Sequence, residues 1–212
     1  MTDRGFLGSG IHAEVTADGN STGPHIHVEN RLDAEYLATL LFSKLDAWAR
    51  TPEDHRKETP QRFVRLLEEM TSRDEEFKFT TFASEVNEMV TMGPIPFYSL
   101  CAHHVVPFYG NAWIGYVPDG QIAGLSKFPR AVKYLAKGFH VQEELTNEIA
   151  KYLEEKLAPL GVAVVMKAEH LCMAMRGVEQ PGVVTITSSM LGVFSMHDRT
   201  AKAEFLNFVN GG

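Results

Sequence analysis

"GVAVVMKAEHLC", Gly161–Cys172, reads as a strand in which β-branched and apolar residues share the backbone with polar ones. Side chains two apart on a strand share a face, roughly 7 Å from one to the next. Val162, Val164, Met166, Ala168, His170 and Cys172 therefore line up, and a histidine and a cysteine project side by side from the strand end. Working outward, "FKFTTFA", "NEMVTM" and "NAWIGYVP" upstream and "VVTITSSMLGVF" downstream carry the same strand signal. "SKFPRAVKYLAKG" and "HVQEELTNEIAKYLEEKLAPLG" are helical, lie just before Gly161, and "TAKAEFLNFV" ends the chain as a short helix. Helices flanking a mainly antiparallel set of strands make this an α+β fold, not an alternating β-α-β one.

Further out, "NRLDAEYLATLLFSKLDAWAR" places Leu32, Tyr36, Leu37, Leu40, Leu41, Leu45 and Trp48 on one helical face, with Asn30 as its cap. "ETPQRFVRLLEEM" repeats the signal, with Pro60 near the first turn and Phe63, Leu66 and Leu67 facing inward. Residues 1–28 are rich in Gly, Ser, Thr and Asp and read as a flexible arm; 29–212 read as one domain, without repeat or linker. His25 and His27 in the arm carry no assigned role.

The 212 residues are 44% hydrophobic, enough for one substantial core. A net charge of −7 gives no reason to expect nucleic acid or an anionic membrane as partner. No apolar run approaches the ~20 residues of a membrane helix, and the start has no basic segment leading into a long apolar one. With two cysteines and no export signal, free thiols or metal ligands are expected over a disulfide, and the compartment is expected to be the cytoplasm.

Those cysteines carry the chemistry. "SLCAHHVVPFYG", Ser99–Gly110, sets Cys101 and His104 at a spacing that suits two ligands converging from one turn. With Cys172 they offer a Cys₂His set, which leaves a tetrahedral zinc one open position, as a catalytic site keeps for water. His103 and His170 remain as imidazoles for proton transfer beside it. "GLSKFPR" puts Ser126, Lys127 and Arg130 at a helix start that favours anions. "HVQEELT" puts Gln142 and Glu143 in the first turn of the next helix. Taken singly, such segments are ordinary caps and solvated faces.

In this order and spacing, "SLCAHHVVPFYG", "GLSKFPR", "VQEELT", "GVAVVMKAEHLCMAMRGV" and "TSSMLGVF" resemble the GTP cyclohydrolase I family, as "ETPQRFVR" resembles its N-terminal helix motif. The resemblance covers roughly Leu32–Phe208. It implies a tunnelling fold, whose antiparallel sheets from several subunits join into a barrel, with pentamers stacked into a decamer and sites at subunit interfaces. It implies GTP as substrate, with Zn2+ on Cys101, His104 and Cys172 activating a water that attacks guanine C8. His103 and His170 would move protons as the imidazole ring opens and C8 leaves as formate. Glu143 would accept from the guanine N–H edge and Gln142 would help position the base. Arg62, Arg65, Lys127, Arg130 and Arg176 match the basic positions around the triphosphate, and Ser126 the serine of the later ring rearrangement. The implied product is 7,8-dihydroneopterin triphosphate, the shared first step toward folate, a reduced pterin cofactor or a deazaguanine compound.

The chain departs from the family pattern at five positions. Ala102 stands where Glu is usual, Gly138 and His140 where Arg and Gln are common, Glu144 and Ala201 where Arg is usual. Two other readings accompany the first: a non-catalytic relative that keeps the fold for assembly, and a tunnelling-fold enzyme acting on a pterin or deazapurine. Intact metal ligands argue against the former. An all-histidine zinc set, or a catalytic cysteine without metal, would mark the latter.

Overall fold

The computed structural model describes residues 6–7, 11–16, 25–28, 33–73, 76–195 and 200–211. They fall in two compact units, residues 1–67 and 68–212.

In the first unit, β1 (Phe6–Leu7), β2 (Ile11–Thr16) and β3 (His25–Val28) pair antiparallel in that order, inside the segment expected to be an arm. Four helices follow: α1 (Ala34–Ser43), α2 (Asp46–Arg50), α3 (Glu53–Arg56) and α4 (Thr59–Thr71), the last crossing the unit boundary. Asn30, the expected cap, lies outside the described residues; Asp33 caps α1, its carboxylate accepting from Glu35 N–H at 3.1 Å. The single helix expected here is two, because the Lys44 and Leu45 N–H groups turn back to Leu41 and Phe42 and close α1. Phe42 packs on Trp48 and Phe63, at 5.0 and 5.3 Å between centroids. Of the rest of the apolar stripe, Leu32 lies outside the described residues, and Tyr36, Leu37, Leu40, Leu41 and Leu45 are 42–56% exposed. Leu66, expected to face inward, is exposed too.

The second unit contains, in chain order, β4 (Thr81–Ala83), β5 (Val90–Cys101), β6 (Pro107–Val117), β7 (Gln121–Ala123), α5 (Lys127–Leu135), β8 (Phe139–His140), α6 (Gln142–Leu157), β9 (Gly161–His170), α7 (Leu171–Ala174), β10 (Val184–Gly192) and α8 (Thr200–Gly211). Its main sheet has the order β10-β9-β6-β5-β8, antiparallel except for the short β5–β8 pairing; β4 pairs with β7 apart from it. β9 explains the architecture. Val162, Val164, Met166 and Ala168 enter the main core with Phe128, Val132 and Leu135 of α5 and Leu145, Ile149 and Leu153 of α6. Ala163 and Val165 point the other way, into a smaller core with Phe194 and with Phe205 and Val209 of α8. Burial on both faces is why the strand is apolar almost throughout, and each large side chain fully buried contributes about 1.5–3 kcal/mol.

Three strand expectations need correction. "FKFTTFA" yields only the three residues of β4. β5 runs on from "NEMVTM" through Pro94 and Pro96 to Cys101, with an irregularity between Met92 and Ile95. Prolines are tolerated there because β5 lies at the edge, covered by β8 only at Leu100 and Cys101. β9 stops at His170, so Cys172 does not share its face but sits in the helical turn α7. Among the described residues, no helix is long and apolar enough to cross a membrane.

Candidate active site

Three chain ends meet at one end of the main sheet. β5 delivers Cys101 into a tight turn, closed by Val105 N–H to Cys101 O at 2.8 Å and Cys101 N–H to Val106 O at 2.9 Å. The turn forces Val105 to φ 54, a left-handed conformation that a β-branched residue adopts only under restraint. β9 delivers His170, α7 delivers Cys172, and β6 brings Phe108 opposite His170 in register.

The ligand atoms of Cys101, His170 and Cys172 lie within 4.8 Å of one another. Both cysteines are free thiols, and Cys101 is buried. Burial and then the neighbouring Cys101 push the Cys172 thiol up, opposed by the positive charge of Arg176. Two thiolates this close repel, so a cation between them is what would allow both to ionise. Two sulfurs and an imidazole are the donor set zinc prefers, and Zn–S bonds of about 2.3 Å call for donors gathered as closely as this. The residues therefore fit a zinc site.

The trio differs from the sequence-based set, having His170 where that set has His104. His104 lies in the Cys101 turn with its ring 6.3 Å from that of His103, and His103 Nδ1 is 4.0 Å from Cys101 Sγ. His170 is the most constrained of the three imidazoles. Its ring lies parallel to Phe108, 4.6 Å between centroids and 2° between planes, and its Nε2 is 2.8 Å from Gln142 Oε1. Burial lowers the His170 pKa, with the Glu143 carboxylate pulling it back up. Gln142 is 1% exposed; its amide also reaches Met166 O, Thr185 O and Thr187 Oγ1 at 3.3, 3.1 and 3.0 Å.

The anion-binding candidates are distributed differently. Ser126 is the N-cap residue of α5, with Lys127 and Arg130 following, and Lys127 Nζ donates to Lys78 O at 2.9 Å. Phe128 of this helix stacks on Tyr116 at 5.4 Å. Tyr116 is eight residues along β6 from Phe108, about 27 Å at strand rise. This helix start is thus anchored at the opposite end of the sheet from the thiols. Arg62 and Arg65 belong to the first unit, where Arg62 pairs with Glu58 at 2.6 Å. The sequence reading missed Phe108. It is quoted within "VVPFYG", but only the register of β6 against β9 reveals that it faces His170.

The sequence profile of the GTP cyclohydrolase I family matches residues 41–210. The chain is 49% identical over 156 residues to GTP cyclohydrolase 1 of Aquifex aeolicus, covering 73% of this chain and 84% of that protein. It is 39% identical over 188 residues to GTP cyclohydrolase 1 of Halalkalibacterium halodurans, covering 86% and 100% respectively. Among solved structures, the archaeosine synthase QueF-Like in its apo form aligns with a TM-score of 0.41 and 16% identity, over 51% of this chain and 96% of that one.

Proposed function

Because the chain belongs to the GTP cyclohydrolase I family, we propose that it is a zinc-dependent hydrolase converting GTP and water to 7,8-dihydroneopterin triphosphate and formate. The observation that carries the metal part is the convergence of Cys101, Cys172 and the His170 imidazole within 4.8 Å. Cys101 and Cys172 would hold the zinc, with His104 of the Cys101 turn as the third ligand that the family resemblance implies. A zinc bound there supplies Lewis acidity for activating water at neutral pH.

The protein's own groups do the rest. His170, already held by Phe108 and Gln142, stands beside the thiols as a proton carrier, and His103 is the second. Burial favours the neutral form of the His170 ring, the form able to accept a proton. Glu143, whose charge acts on His170, would accept from the N–H edge of a guanine bound beside that ring. Arg176, whose charge is felt at Cys172, would meet the triphosphate on this side.

Ser126, Lys127 and Arg130 would complete the site from a second copy of the chain, since within one copy their helix start is anchored at the far end of the sheet. Edge exposure supports such an assembly. Val184 and Ile186 on β10 and Tyr98 on β5 are more than half exposed on the two sides of the sheet. Apolar edges of this kind call for partner strands, and a barrel of two stacked pentamers would supply them.

The test is to mix zinc-loaded protein with GTP, following formate release and pterin fluorescence. Stoichiometric formate and a fluorescent pterin are expected. Correctly assembled, zinc-loaded protein that releases no formate at saturating GTP would overturn the reading and leave a non-catalytic relative.

A further inference from the structure

We propose that Gln142 is a positioning residue, which fixes His170 as its Nε2–H tautomer and leaves Nδ1 as the neutral ring's sole lone pair. The catalytic meaning of this rests on the proposed function; the tautomer itself does not.

Hydrogen-bond polarity dictates the assignment. Met166 O and Thr185 O are backbone carbonyls and can only accept, so the Gln142 group facing them at 3.3 and 3.1 Å is the NH₂. The third neighbour, Thr187 Oγ1 at 3.0 Å, agrees. Thr146 Oγ–H donates to Gln142 O at 2.7 Å, so in the 2.6 Å contact between the two threonines it is Thr187 that donates. Thr187 Oγ1 is then left to accept from the Gln142 amide. Thr146 Oγ1 also lies 3.2 Å from Met166 Sδ, a weaker acceptor than Gln142 O, and the two Gln142 amide protons are shared among three acceptors.

The amide oxygen is consequently turned toward His170. An oxygen can only accept, so Nε2, 2.8 Å away, must carry the proton. Gln142 and Thr146 are both 1% exposed, so water does not compete for these bonds. Sequence spacing builds the device: Gln142 and Thr146 are one helical turn apart on α6, and Thr185 and Thr187 share a face of β10. The Phe108 ring, parallel to His170, sets the plane in which Nδ1 points. Gln142 therefore spends its amide inside the protein, and its influence on the reaction passes through His170.

Zinc-loaded protein carrying 15N-labelled histidine rings would be compared with His170→Ala by solid-state NMR at alkaline pH, where imidazoles are neutral. The signal pair missing from the variant should show a protonated Nε2 and a bare Nδ1; the reverse pattern would overturn the proposal. Turnover gives a second arm. Gln142→Leu should lower kcat by on the order of 10²–10⁴ while KM for GTP stays within about threefold, and Gln142→Glu, which keeps an acceptor, should recover part of kcat. A raised KM with kcat intact would make Gln142 a contact to the base and sink the positioning role. Should Gln142→Leu fail to fold, or the wild type prove inactive, the NMR comparison still decides the tautomer.

Discussion

Gly110→Ala should be among the most damaging single-methyl additions in the molecule. A Cβ at Gly110 would stand 1.9 Å from Lys167 O and 2.7 Å from Ala168 Cα, both backbone atoms of β9. Reaching an ordinary contact of 3.4 Å requires β6 and β9 to part locally by 1.5 Å, the difference between 3.4 and 1.9. Ladder bonds that begin near 2.9 Å do not survive that separation. Losing two of them at about 1 kcal/mol each, with about 1–3 kcal/mol of overpacking strain, predicts a cost of about 3–5 kcal/mol. Gly110 pairs with Ala168, and two residues along the same ladder Phe108 pairs with His170, so the stacked rings shift as well and turnover falls. The assay is urea unfolding of zinc-loaded protein at fixed concentration, since the proposed assembly would make stability concentration-dependent. Gly211→Ala, where an added Cβ meets nothing within 4 Å, is the control. A Gly110→Ala protein within about 0.5 kcal/mol of wild type would refute the close approach of β6 to β9.

Cys172→Ser should lose bound zinc and turnover together by metal analysis and formate assay, as should His104→Ala, whereas His170→Ala should keep the metal and lose turnover. Retention of zinc by His104→Ala alongside its loss from His170→Ala would make His170 the ligand. Burial, reinforced by Arg73 and opposed by Glu148 and Glu144, lowers the His140 pKa from its ordinary 6.5. The unfolded chain then binds the proton first, so this contribution to stability is whole above pH 6.5 and is lost as pH falls through the lowered folded value. Unfolding midpoints measured across that window should fall less steeply in His140→Gln; equal slopes would dismiss the effect. Sedimentation should show a large homo-oligomer, and Ile186→Asp on the exposed edge should dissociate it, while an active monomer would contradict the shared site.

What the sequence made legible follows from what periodicity can see. Strand β9 and helices α5 and α6 bury regular stripes, so their apolar spacing announced them and, with them, the α+β arrangement. β5 was half hidden because Pro94 and Pro96 imitate a loop, and only its place at the sheet edge makes them tolerable. Cys172 was given to the strand because alternation carries no mark of where a strand stops and one helical turn begins. In the site, Cys101, Cys172 and His170 were found by residue type. The roles of Phe108 and Gln142 were not, because both depend on cross-strand register and on the polarity of hydrogen bonds made by residues far apart in the chain.

The five departures from the family pattern look scattered in sequence, but four of them meet at His140. His140 O accepts from Ala102 N–H at 3.0 Å; a Cβ at Gly138 would stand 2.8 Å from His140 Cε1; and Glu144 acts on the His140 charge. Ala201, on α8, lies apart, against the smaller core. The ring fills the space a side chain at 138 would need, and Gly138 sits at φ 139, where a side chain is strained. A side chain at 138 would have to displace the His140 ring. Around the ring, Ser99 Oγ lies 2.9 Å from Nδ1, Arg73 Nη2 3.4 Å from Nε2, and Glu148 3.8 Å from the same atom. Arg73 is itself anchored on Leu135 O, Lys137 O and Glu148, so a guanidinium reaches this spot from position 73 although position 138 has none to offer. Because β8 pairs His140 with Cys101, the altered cluster braces the turn that presents the first thiol. It shares no residue with the Gln142–Thr146–Thr187 ring that holds His170. The four departures at His140 therefore bear on how firmly the Cys101 turn is supported, and leave the mounting of His170 untouched.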